Sequence, residues 1–154
     1  MGRHRGPHRG PLSGRWGFVA CTAAVVACAG VPGGAEGDLS RAAGDSASAL
    51  SAARLALQQH GGGDTTGNHA VTVVSDAVKE VLGSYDTVAE LEVATVDESA
   101  HRTVLLDRLA DATAVLAAAR SHVDGPATAP DAATLDADLA ALTGLLAEFA
   151  DGAR

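Results

Sequence analysis

Four segments of this chain repeat apolar residues at alternating spacings of three and four, and this pattern constrains the fold more than any other feature. Because an α-helix has 3.6 residues per turn, such spacing places the repeated residues on one helix face. The valines of residues 71–74 favour a strand when taken alone, but their segment continues the helical spacing far beyond the length of a typical strand. We therefore predict four amphipathic helices. Their stripes are Leu39, Ala43, Ser46, Leu50, Ala53 and Leu57; Val71, Val74, Val78, Val81, Tyr85 and Val88; Leu105, Leu109, Ala112, Leu116, Ala119 and Val123; and Leu135, Leu139, Leu142, Leu146 and Phe149.

Turn and cap residues separate these segments. Three glycines and a run of turn formers occupy residues 61–68. Thr95 and Glu98 have the spacing of a capping box, in which a hydroxyl and a carboxylate each accept a free backbone N–H at a helix start. Gly125, followed by a proline, ends the third segment, and residues 128–131 provide a cap and an early proline for the fourth.

The short connections indicate how the helices pack. Helices joined by a few residues lie side by side and run antiparallel. The sequence therefore predicts an all-α fold, an up-down-up-down antiparallel four-helix bundle over residues 38–154. The same stripes are also compatible with two helical hairpins that open or exchange between chains, and the sequence does not choose between these arrangements.

The N-terminal region has a different character. Residues 1–17 contain four arginines and no Asp or Glu, and Phe18–Ala27 form an uncharged, mostly apolar run that ends at Cys28. This order of a basic region and a short apolar region is typical of an export signal. A permanent membrane span is not expected, because a spanning helix needs about 20 consecutive apolar residues.

The sequence Val25-Val26-Ala27-Cys28 resembles the lipobox of bacterial lipoproteins. The resemblance implies that residues 1–27 are a cleaved signal peptide, that Cys28 is lipidated and that the domain is held on the outer face of the cell membrane. Residues 28–37 then form a flexible, glycine-rich tether. An alternative is an ordinary secretory signal cut after Ala29, which gives a freely secreted protein. The composition resembles exported actinobacterial proteins, and residues 38–154 resemble no characterised family.

Charge and composition restrict the possible partners. From Cys28 onward the chain has seven basic and nineteen acidic residues, a formal charge of −12. Such a surface repels phosphate, which argues against nucleic acid and against direct binding to anionic lipids, so the lipid on Cys28 would be the membrane attachment. Tyr85 and Phe149 are the only aromatic residues in this part of the chain, too few for stacking on sugars or bases.

Few residues suggest chemistry. Glu98 and His101 have the Glu-x-x-His spacing of di-iron bundle proteins, but those sites need two such units and this chain has one. His60, Asp64 and His69 surround the glycine-rich turn and could ligate a metal. A metal or small-ligand carrier remains an alternative, and it requires at least three of these groups to meet in space.

We find no catalytic motif in the sequence, such as Gly-x-Ser-x-Gly or Ser-x-x-Lys, and no phosphate-binding or haem motif. We therefore expect no enzyme activity, no cofactor and no metal. The sequence favours a lipid-anchored, extracytoplasmic helical protein that binds another protein or an envelope component.

Overall fold

The computed structural model describes residues 34–125 and 130–152, and within these residues it contains α-helices and no strand. The predicted all-α four-helix bundle is confirmed. The helices are α1, Ala35–Gly61; α2, Gly67–Glu90; α3, Val96–Asp124; and α4, Ala132–Gly152.

α1 begins earlier than the sequence indicated. Residues 35–37, expected in the tether, form its first turn, and Gly37 is buried. Gly34 precedes the helix with φ of 152°, a conformation that residues with a Cβ rarely adopt. Glu36 and Asp38 follow in the first turn, where their negative charges interact favourably with the helix dipole. The remainder of the predicted tether, residues 28–33, lies outside the described residues.

α1 is the central helix of the bundle. It packs against α2, α3 and α4, whereas α2 and α4 make no contact with each other in the described part of the chain. The diagonal from α1 to α3 is therefore short, and the diagonal from α2 to α4 is long. Small residues dominate the buried surface of α1, which allows its backbone to approach three neighbours. Its buried residues are Gly37, Leu39, Ser40, Ala42, Ala43, Ser46, Ala47, Leu50, Ala53, Ala56 and Leu57.

The core follows the predicted stripes closely. All six stripe residues of α1 are buried. In α2 every second stripe residue is buried, Val78 and Tyr85 are packed at the edge of the core, and Val71 is half-buried. In α3 and α4 the buried stripe residues are mainly leucines, while Leu142 and Phe149 of α4 are half-buried. The 3–4 spacing thus correctly identified the inward faces.

The helix ends also form as their residues predict. Thr95 Oγ1 accepts the backbone N–H of Glu98 at 3.1 Å, and Glu98 Oε2 accepts the N–H of Thr95 at 2.9 Å. This is a complete capping box at the start of α3. Gly125 ends α3 in the left-handed conformation, with φ of 96°. Asp131 begins α4 by accepting the N–H of Thr134 at 2.9 Å.

Polar side chains fix α4 in an antiparallel orientation on α1. Ser40 Oγ, near the start of α1, donates to the carbonyl of Ala150, near the end of α4, at 2.8 Å. At the opposite ends, the Arg54 guanidinium donates two hydrogen bonds, of 2.7 and 2.9 Å, to the carboxylate of Asp136. Gln58 donates a third at 2.7 Å. The Arg54 and Gln58 hydrogen bonds lower the pKa of Asp136, because they stabilise its charged form.

The close packing of α1 predicts a strong dependence on residue size. Ala53 is fully buried and Ala52, next to it on the same helix, is exposed. We expect Ala53→Leu to lower the free energy of unfolding by about 1–3 kcal/mol, because the larger side chain forces α1 away from its neighbours. Ala52→Leu, the matched control, should change it by less than about 0.5 kcal/mol. Chemical denaturation measures both, and equal effects would contradict the packing described here.

Substitution by alanine should lower the stability of the protein at one buried serine of α1 but not at another. Ser40 donates a hydrogen bond to α4, so Ser40→Ala should lower the free energy of unfolding by about 1 kcal/mol. Ser46 Oγ is buried without a hydrogen-bond partner among the described residues, so Ser46→Ala should leave stability unchanged or raise it. Thermal and urea denaturation of the two variants test this difference. A loss of stability in Ser46→Ala as large as that in Ser40→Ala would contradict it.

Candidate functional site

Cys28, the predicted lipidation residue, lies outside the described residues, and its role stays a prediction. The helices that the structure describes can be assessed for membrane insertion. None of them combines the length and the apolar composition that a membrane span requires.

Glu98 and His101, the candidate metal-binding pair, have separate roles. The Glu98 carboxylate accepts the backbone N–H groups of Ala94, at 2.8 Å, and of Thr95. These two hydrogen bonds lower the pKa of Glu98, because they stabilise the charged carboxylate. Glu98 therefore caps the start of α3.

His101 instead joins three helices at one end of the bundle. Its Nδ1 lies 3.0 Å from Oε1 of Glu36, in the first turn of α1. Its ring also meets the ring of Phe149, near the end of α4, edge to face, with 6.1 Å between centroids. Glu36 and His101 are 65 residues apart in sequence, and no local pattern links them. We define this end of the bundle, marked by Glu36, His101 and Phe149, as the near end.

The candidate ligands around the glycine-rich turn do not form a cluster. The ring of His60 lies against Gly67, at the start of α2. Asp64 and His69 are exposed, and the backbone N–H of His69 donates to Thr66 Oγ1 at 3.3 Å as part of the α2 cap. In residues 34–125 and 130–152, no three His, Cys, Asp or Glu side chains are placed to hold a metal ion. The described residues therefore do not bring together the three ligands that a metal carrier requires.

A groove that the sequence did not indicate lies between α1 and α2. It has a volume of about 290 Å³. We call it the α1–α2 groove, and its lining residues are Asp38, Arg41, Ala42 and Asp45 of α1 with Lys79, Glu80, Gly83, Ser84 and Thr87 of α2. The α1 residues recur at spacings of three and four, as do most of those on α2, so one face of each helix forms each wall.

Both cations of the α1–α2 groove form ion pairs, but two of its carboxylates do not. Arg41 donates to Asp38 at 2.7 Å, and Lys79 donates to Asp76 at 2.9 Å, each within its own helix. The carboxylates of Asp45 and Glu80, on opposite walls, have no ion-pair partner among the described residues. The groove is therefore lined by three carboxylates and two cations, and Asp45 and Glu80 are the two carboxylates outside an ion pair.

The α3–α4 seam carries exposed apolar side chains. His101 of α3 contacts Phe149 of α4, which fixes the register of the two antiparallel helices. Val104 is one turn farther along α3 and Leu145 one turn back along α4, so both lie next to this contact. Val104 is 44% exposed and Leu145 is 40% exposed. Val104 and Leu145 thus expose apolar surface within one helical turn of this contact.

Comparisons with known proteins give no relative for this chain. No family model, no curated protein sequence and no solved structure matches it. The fold alone does not determine a function, because helical bundles host many unrelated activities. A functional assignment must therefore be argued from the residues of this chain.

The altered pKa of Glu98 predicts how acid affects stability. A lowered folded-state pKa means that the carboxylate stabilises the protein fully above the ordinary value of 4.5, and that this contribution disappears as the pH falls through the lower folded value. We expect Glu98→Gln to lower the Tm at pH 7, and its difference from the wild type to shrink in acid.

Asp97→Asn is the matched control, because Asp97 lies in the same helical turn but does not take part in the capping box. Thermal unfolding followed from pH 7 to about pH 2 makes the comparison. A difference between wild type and Glu98→Gln that stays constant over this range would show that the charge of Glu98 has no special role.

Proposed function

We propose that this chain is a lipid-anchored protein of the outer face of the cell membrane, and that its helical bundle works by binding an envelope partner. The observation that carries the proposal is the sequence Val25-Val26-Ala27-Cys28 behind a basic and then an apolar region. After cleavage before Cys28, the only other cysteine, Cys21, is lost with the signal peptide. Cys28 is then the one cysteine of the proposed mature chain.

The position of α1 relative to Cys28 supports a short attachment. α1 begins at Ala35, seven residues after Cys28. Seven extended residues reach at most about 25 Å, so an anchored bundle would stay close to the bilayer. The near end, where α1 starts, would face the membrane. The formal charge of −12 from Cys28 onward gives no attraction to anionic head groups, so the lipid would supply the attachment.

The α3–α4 seam supports a binding role. Val104 and Leu145 expose apolar surface beside the partly covered ring of Phe149. Apolar strips of this kind, bordered by polar residues, are where proteins pack against partners. The seam runs along the side of the bundle, which an anchored domain leaves accessible to other envelope proteins.

The first test is the intact mass of the protein recovered from the membranes of an actinobacterial host. We expect a chain that begins at Cys28 and carries diacylglycerol, and we expect Cys28→Ala to abolish both the added mass and the membrane association. Cys21→Ala is the matched control, because Cys21 lies within the predicted signal peptide. That variant should be processed and lipidated as the wild type is.

The alternative predicts a different product. An unmodified chain that begins at Gly30, recovered from the medium, would replace the lipoprotein with a freely secreted helical protein. A full-length chain retaining residues 1–27 in the cytoplasm would contradict export altogether.

A further inference from the structure

Arg108 lies in the α3–α4 seam. It follows His101 by two helical turns, so it is on the side of α3 where His101 meets Phe149 of α4. Leu142 precedes Phe149 on α4 by the same two turns. Because α3 and α4 run antiparallel, Arg108 and Leu142 lie opposite each other. The exposed apolar residues of the seam lie between this level and the near end.

The charge of Arg108 has no partner among the described residues. Its side chain is half-buried, and its Nε is buried without a hydrogen-bond partner. The terminal nitrogens of its guanidinium are not buried, so a group from outside can reach them. Every other Lys and Arg side chain of the described residues contacts a carboxylate or carbonyl oxygen. A partly desolvated guanidinium without an acceptor is unfavourable, and an incoming carboxylate would stabilise it.

The seam also carries an acceptor without a partner. Asp138 lies one turn before Leu142 on α4, is exposed, and forms no ion pair among the described residues. Arg108 and Asp138 are therefore neighbours along one seam that do not pair with each other. A two-fold dimer brings the same patch of two copies together. A patch that holds both members of an unformed ion pair beside apolar residues is complementary to itself.

The acidity of the chain restricts where two copies can meet. From Cys28 onward the formal charge is −12, so most faces of two copies repel each other. The unpaired cation of Arg108 lowers this repulsion at the seam. Val104 and Leu145, next to it, supply exposed apolar surface of the kind that interfaces bury. Arginine beside apolar residues is also typical of the residues that dominate binding energy.

We propose that the α3–α4 seam binds a second copy of this chain. In the two-fold dimer Arg108 of each protomer donates to the partner subunit's Asp138, and the dimer covers Val104 and Leu145 of both copies. This inference rests on the binding role proposed for the seam, for which it names the partner. It does not depend on the lipid anchor.

The experiment is sedimentation velocity on the full-length chain with Cys21→Ala and Cys28→Ala, so that neither a lipid nor a disulfide can hold two copies together. Salt is held at about 0.15 M, which screens diffuse charge repulsion beyond about 8 Å. We expect a monomer and a dimer in equilibrium, with more dimer at higher concentration. A chain that stays monomeric up to about 1 mM would overturn the proposal, and the intact-mass test of the anchor would be unaffected.

Exchange of the two charges tests the proposed ion pair. Arg108→Asp and Asp138→Arg should each abolish association, because each variant places like charges opposite each other in its own dimer. In an equal mixture of the two variants every exchanged side chain meets its opposite charge, so association should return. That recovery would also show that both variants fold. Failure of the mixture to recover, or self-association of either variant alone, would overturn the proposal.

The matched charge controls lie outside the seam. Arg120, near the end of α3, pairs with Asp124, and Asp86 is exposed on α2, which does not contact α4 in the described residues. Arg120→Asp and Asp86→Arg make the same charge changes and should leave dimers that still form. Loss of association in these controls as complete as in the seam variants would overturn the proposal in favour of general charge repulsion.

Two milder variants keep the test independent of large charge changes. Arg108→Gln and Leu145→Ser should each raise the Kd of the dimer about tenfold, through loss of the ion pair and of buried apolar area. The matched control is Leu55→Ser, because Leu55 of α1 is 54% exposed and lies outside the seam. It should leave the Kd unchanged. Dimers weakened by Leu55→Ser but not by Leu145→Ser would place the contact elsewhere and overturn the proposal.

Discussion

The close approach of α1 to its three neighbours is the constraint on which the rest of this bundle depends. Large apolar residues on every helix would hold the helix axes apart, and the α1–α3 and α2–α4 distances across the bundle would be similar. Here the alanines and serines of α1 shorten one diagonal, so α1 contacts α3 across the core while α2 and α4 stay apart in the described residues. Six of the nine buried leucines of the described residues belong to α3 and α4.

Small residues also explain where polar groups enter the structure. A buried serine is favourable only when its hydroxyl forms a hydrogen bond, and Ser40 does so with the end of α4, whereas Ser46 has no partner among the described residues. On the other side of α1, small residues do not fill the space against α2. Ala42 and Gly83 leave room there, and the charged residues around them form the α1–α2 groove. The same composition that permits close packing against α3 and α4 thus leaves a recess between α1 and α2.

The sequence predicted the features that depend on neighbours within one helix. The stripes identified the buried faces, and the capping box of Thr95 and Glu98 formed as its residues require. It could not predict contacts that depend on the register between helices. His101 was paired with Glu98 by spacing, but it meets Glu36, because the starts of α1 and α3 lie at the same end of the bundle. That Asp45 of α1 and Glu80 of α2 line the same groove likewise cannot be predicted without that register.

The proposed anchor and the α1–α2 groove are related by the direction of α1. Asp38 and Asp45 belong to the first half of α1, and Glu80 and Ser84 to the second half of α2, so the α1–α2 groove lies toward the near end. On a protein anchored through Cys28, its uncompensated carboxylates would lie on the membrane side and would be repelled by anionic head groups. This repulsion would then limit how closely the bundle approaches the bilayer, within the reach set by the residues between Cys28 and Ala35.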